Sequence, residues 1–215
     1  MSSCTYKQLQ WEPSSRDLFN NRITTIKSLR NALPDSTFLA IDTEHVAITN
    51  EKDRILHQVG LAHLPTLQDS SQTDTTNQPS LQNFCTTNQI QALTLNINIP
   101  KEELDTFICL RGGKNMPARR SHRFGQQQQV NLENLEAAIV DFIQGCPRKK
   151  TNLVLIGFEM AAEWTYLYKA FPRAMPFFSA WMDLRDIVQD ITSSVGVIPG
   201  LVSLLQTVGY HWKDV

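Results

Sequence analysis

Asp42 and Glu44 are the residues whose type and spacing most directly suggest chemistry. They follow the apolar run Phe38-Leu39-Ala40-Ile41, which is set off by the turn residues Pro34-Asp35-Ser36 and reads as a buried strand. Positions i and i+2 of a strand share a face, so the two carboxylates stand side by side at its end. Charges that close repel unless a cation lies between them. Hard oxygen donors with room for water suit Mg²⁺ or Mn²⁺. A solvated acidic strand end is the plain alternative for so short a motif. A third carboxylate must come from another element, and Glu163 is the candidate. It lies six residues after Gly157, which ends the apolar run Leu153-Val154-Leu155-Ile156, and it falls early in the next helix. That placement can bring it to the same sheet edge; a solvated helix-face glutamate is the alternative. Glu159, one turn earlier on nearly the same face, is the substitute if Glu163 points away.

Basic residues gather at Arg111, Lys114, Arg119, Arg120, His122 and Arg123. Arg119, Arg120 and Arg123 are the candidate phosphate contacts for a nucleic acid, against the alternative of a solvated basic loop. The chain has 20 basic and 21 acidic side chains and a net charge of −1. Contact with nucleic acid therefore has to come from a local patch or a metal rather than from the global field. Trp164, Tyr166 and Tyr168 could stack bases, but helical spacing marks Trp164 and Tyr168 as core.

The elements that position these groups follow from periodicity and punctuation. A polar lead-in and a short helix occupy 1–35. Strands are expected at Phe38–Ile41, Ile55–Leu64 and Leu93–Ile99, the last from its strict alternation. The Gln-, Thr-, Ser- and Asn-rich stretch at about 65–91 reads as a loosely ordered insertion. A helix from Asn131 to Gln144 has an inner stripe of Leu132, Leu135, Ala138, Ile139 and Phe142. A central strand at Leu153–Ile156, a helix at Met160–Phe171 ended by Pro172, an edge strand at Phe177–Met182, and helices at Leu184–Ile191 and Pro199–Val208 complete the chain. A three-strand meander followed by crossovers gives a mixed five-stranded sheet flanked by helices. Four cysteines without C-x-x-C spacing argue against zinc and for reduced thiols, hence a cytoplasmic or nuclear protein. No run reaches the roughly 20 apolar residues needed to span a membrane.

With those elements in place, FLAIDTE resembles the first motif of DEDD-type 3′–5′ exonucleases, and LVLIGFEMAAEWTYL resembles their second. RFGQQQQVNLENLEAAIVDFI resembles a turn and helix of fungal RNase H-like proteins of that family. The likeness covers roughly 36–212. It implies an RNase H-like α/β fold over 36–215 and two-metal phosphodiester hydrolysis on single-stranded RNA or DNA. By the same resemblance Asp42 would bridge two Mg²⁺ or Mn²⁺ ions, Glu44 would hold the ion that activates water, and Glu163 would hold the second. The departures are specific. Phe158 stands where the family has His, Glu159 where it has Asn or Asp, and Glu163 where it has Asp. The family's last His and Asp motif has no counterpart before Val215; Tyr210 and Asp214 only share the spacing of a tyrosine variant. The expectation is a C-terminally truncated, catalytically incomplete nucleic-acid-binding domain, with an active exonuclease and a non-catalytic protein-interaction module as alternatives. A missing terminal helix would also leave an apolar sheet face near Leu153–Ile156 open to a protein partner, unless the Pro199–Val208 helix covers it.

Overall fold

The computed structural model describes residues 13, 15–47, 54–65, 80–110, 112–113, 118–120, 124–147, 152–193 and 198–210. The chain begins with helices α1 (Arg16–Asn20) and α2 (Ile26–Ala32), then strands β1 (Ser36–Ala47) and β2 (Arg54–Leu64). Helix α3 (Leu81–Thr87), strand β3 (Gln91–Asn98), helix α4 (Lys101–Leu110) and strand β4 (Gln126–Asn131) follow. Helix α5 (Leu135–Gly145), strand β5 (Asn152–Gly157), helix α6 (Ala161–Ala170), strand β6 (Ala180–Asp183), and helices α7 (Leu184–Thr192) and α8 (Leu201–Thr207) complete it.

The strands form one mixed sheet of six in the order β4-β3-β2-β1-β5-β6. β2 runs antiparallel to β1 and β3, and the other pairings are parallel. The α/β class expected from the sequence is therefore present, with one strand more than the expected five. The extra strand is β4, whose sequence QQQQVN has no apolar period to announce it. Two helices were also unforeseen. α3 starts inside the polar insertion, where Ser80 caps it by accepting from the Asn83 N–H. α4 begins at Lys101 with Glu102 and Glu103 in its first turn, where they suit the dipole. Residues 66–79 of the insertion lie outside the described residues.

Strand alternation divides the core between the two faces. Leu39 and Ile41, Val59 and Leu61, Leu93, Leu95 and Ile97, and Leu153 and Leu155 face α5, α6 and α1. Leu135, Ile139 and Ile143 of α5, and Trp164 and Leu167 of α6, pack on them. Leu132 is not part of that stripe; it lies in a 3-10 turn before α5 and is exposed. On the other face Phe38, Val154 and Met182 pack with Ile187 of α7 and with Ile26 and Leu29 of α2. The expected opening beside Leu153–Ile156 is thus filled. Residues 153–155 are buried, and the cover is α2 and α7 rather than the helix at Pro199–Val208.

The lead-in is part of this core. A capping box between Thr25 and Ser28 starts α2. Leu18 and Phe19 are buried, and the Trp181 indole N–H donates to the Phe19 carbonyl at 2.8 Å. Among the described residues no helix is long and apolar enough to cross a membrane.

Candidate functional site

β1 outruns its neighbour β5. The two pair from Ser36 to Ala40 on β1, and Gly157 ends β5 one register step beyond that contact. Asp42, Thr43 and Glu44 therefore occupy a stretch of β1 that is paired only with β2, opposite Gly60, Val59 and Gln58. A register shift follows between Glu44 and His45, a local irregularity of the kind that re-aims side chains.

Alternation places Asp42 and Glu44 on one face, as expected. Asp42 is exposed and Glu44 half-buried. Burial raises the Glu44 carboxyl above its ordinary value, the Asp42 charge raises it further, and a hydrogen bond between the two carboxyls does so again; only Arg120 opposes. Arg120 Nη1 lies 2.8 Å from Glu44 Oε1.

Glu163 is delivered to the same stretch of β1 by a tight turn after β5. At Gly157 an added Cβ would lie 2.1 Å from the buried Met160 sulfur, so a larger residue there would have to displace the Met160 side chain. Glu159 takes a left-handed conformation, φ 61°. The Asp183 carboxylate, from the end of β6, accepts from the Glu159 and Met160 N–H groups at 3.2 and 3.0 Å and from the Arg185 N–H at 3.0 Å. One buried carboxylate thus ties the start of α6 to the start of α7. Sequence reasoning gave Asp183 no role, although an acid between an apolar strand and a helix is an N-cap signal.

The Glu163 carboxylate does not meet Asp42 and Glu44 directly. It accepts the Thr43 hydroxyl at 2.5 Å and is also bonded by the Thr43 backbone. Thr43 lies between the two acids in sequence and faces the α6 side, opposite to them. Glu163 is 5% exposed. Burial pushes its carboxyl up from 4.5 to about 7; the Thr43 hydroxyl draws it down, the Asp42 charge raises it, the Thr43 backbone lowers it and the Glu44 charge raises it. The three acids therefore feel one another's charge at one strand end while approaching from two faces. Glu159 turns elsewhere, its carboxylate 2.7 Å from Arg185.

The face that carries Asp42 and Glu44 continues as a polar row through the sheet register: Glu44, Gln58, Asn96 and Gln129 on four successive strands. Gln58 and Asn96 are buried. The Gln58 amide donates to Asn96 Oδ1 at 2.8 Å and to the Arg120 carbonyl at 2.9 Å, and Arg119 donates to the Ile97 carbonyl. The segment bearing Arg119 and Arg120 is thereby fixed beside the acidic pair. Burial lowers His57 below its ordinary value, with Arg119, His45 and Arg120 acting in the same direction. Arg123 and Asp214 lie outside the described residues. Trp164 is buried in the core against Trp181 and Phe19, which leaves no ring face for stacking a base.

The donor chemistry of Asp42 and Glu44 fits one hard divalent cation, which would relieve the repulsion between their charges. Among the described residues no group of three His, Cys, Asp or Glu side chains is arranged to hold a metal ion. No protein-family model matches the chain, and no curated protein matches it.

Proposed function

We propose that this chain is an RNase H-like domain of the DEDD exonuclease type that binds single-stranded nucleic acid, with hydrolysis weak or absent. The observation that carries the reading is the Asp42–Glu44 pair, at the free end of the central strand and faced by Arg120 on the same polar sheet surface. The β1–β2–β3 meander followed by parallel strands β5 and β6 supports it, being the arrangement the resemblance implies. Asp42 and Glu44 would hold a divalent ion, Mg²⁺ or Mn²⁺, which supplies positive charge for a phosphate oxygen. Arg120, and Arg119 behind it, offer a guanidinium fork to the same phosphate. Weak hydrolysis follows from Glu163, whose carboxylate is engaged by Thr43 from the other face, and from Phe158, which brings no proton acceptor.

The test is fluorescence anisotropy of a labelled single strand with Mn²⁺ and with EDTA, beside digestion of a 3′-labelled strand. Affinity that needs the ion and falls in Asp42→Asn, with little cleavage, is the expected result. Ion-dependent cleavage abolished by Asp42→Ala would replace the binding role with an active exonuclease. Affinity that is the same with and without the ion and in the variant removes the proposal.

A further inference from the structure

The two edges of the sheet are treated differently by the chain. The β6 edge is four residues long and is covered by the lead-in: Trp181 N–H donates to the Asn21 carbonyl at 3.2 Å, and Ile23 N–H to the Trp181 carbonyl at 2.8 Å. Among the described residues no segment pairs with the outer edge of β4. Gln126–Gln129 are exposed, β4 pairs with β3 without a register shift, and none of its six residues is charged or proline. Edge strands are ordinarily blunted by lysine, proline, a bulge or an overlying segment, because an unpaired row of N–H and C=O groups recruits another strand. β4 carries none of the first three, and among the described residues no overlying segment is hydrogen-bonded to it.

We infer that β4 pairs antiparallel with β4 of a second copy of this chain, joining two six-stranded sheets about a two-fold axis at Gln128. The choice of a second copy comes from the strand itself. In this register Gln128 faces Gln128, Gln127 faces Gln129, and Gln126 faces Val130, so each of these five side chains meets a neighbour on its own face of the sheet. A carboxamide is both donor and acceptor, and a row of glutamines is therefore complementary to itself, whereas a charged row would repel its copy. The chain's net charge of −1 adds little long-range repulsion. A groove of about 640 Å³ runs beside the strand under α5, lined by Gln126, Gln128, Val130, Ala138 and Phe142, and accepts side chains at the junction. Gly125 fixes where the edge begins. It has φ 80°, and an added Cβ would fall 2.0 Å from the Ala92 carbonyl oxygen. Five residues a side is a small contact, at the low end of interface sizes, so the dimer is weak and concentration-dependent.

Sedimentation equilibrium of the full chain over a wide concentration range tests this. The expected result is a monomer–dimer equilibrium in wild type and a shift of at least tenfold toward monomer in Gln128→Lys and in Gln128→Glu, each of which sets like charges opposite each other. An equimolar mixture of the two variants should regain the dimer, because Lys then meets Glu. Circular dichroism guards against misfolding, and Gln128 is exposed, so both variants keep the fold. A wild-type chain that stays monomeric throughout, single variants that dimerise like wild type, or a mixture that remains monomeric each overturn the inference.

Discussion

Replacing Glu163 by Gln should convert a pH-dependent cost into a constant one. The carboxyl stands at about 7 in the folded chain against an ordinary 4.5. Below about pH 4.5 both folded and unfolded chains hold the proton, and the group costs nothing. As pH rises toward 7 the unfolded chain loses its proton while the folded one keeps it, so the unfolded form gains and stability falls. Above about pH 7 the penalty is complete, about 3 kcal/mol at 1.36 kcal/mol per pH unit. The amide of Glu163→Gln has the volume of the acid and can still accept the Thr43 hydroxyl, but it does not ionise. Urea denaturation of both proteins at pH 5 and pH 8 isolates the effect, since other titrating groups contribute to both and largely cancel in the difference. The variant should gain about 2–3 kcal/mol on wild type between the two pH values. A difference that stays constant within about 0.5 kcal/mol, near the extrapolation error, would mean that burial does not hold the Glu163 proton, and the electrostatic description of the site would fall with it.

Further outcomes follow from the same geometry. Asp183→Ala removes the acceptor for three backbone N–H groups at two helix starts and should cost about 2–4 kcal/mol in urea denaturation; a loss under about 0.5 kcal/mol would show that the turn before α6 holds itself. Arg120→Gln should change stability by less than about 1 kcal/mol, because the arginine is largely exposed. The same change should lower single-strand affinity and reduce its salt slope by about one counterion in a titration of binding against salt. Glu44 should titrate still higher in that variant, because the one charge that lowers it is gone; carboxyl carbon NMR across the acid range reads this directly. Gly125→Ala, which meets the Ala92 backbone from a left-handed conformation, should cost more than about 1 kcal/mol and deprotect the β4 amides in hydrogen exchange before those of β1.

What the sequence disclosed and what it withheld divide along the range of the forces involved. β1, β5 and α6 were legible because their apolar runs and stops, ending at Asp42, Gly157 and Pro172, are local signals of burial. β4 was hidden because glutamine exposed on both faces has no period, and its position is set by hydrogen bonds to β3, which precedes it by some thirty residues. The same contrast separates the acids. The Asp42–Glu44 relation was readable, since two positions on one strand share a face whatever the rest of the fold does. The aim of Glu163 was not. Its element could be named from spacing, but its direction depends on how α6 leaves β5. That departure is fixed by Asp183 on β6, which grips the Glu159 and Met160 amides from more than twenty residues downstream. A single long-range carboxylate thus turns the third acid toward Thr43 rather than toward its two partners. Loosening that grip, as Asp183→Asn would by weakening its acceptor strength, is then the smallest change able to free Glu163 to swing toward the Asp42 side. If it does, Mn²⁺ affinity measured by calorimetry should rise in the variant; affinity that is unchanged would show that Thr43 alone holds the carboxylate in place.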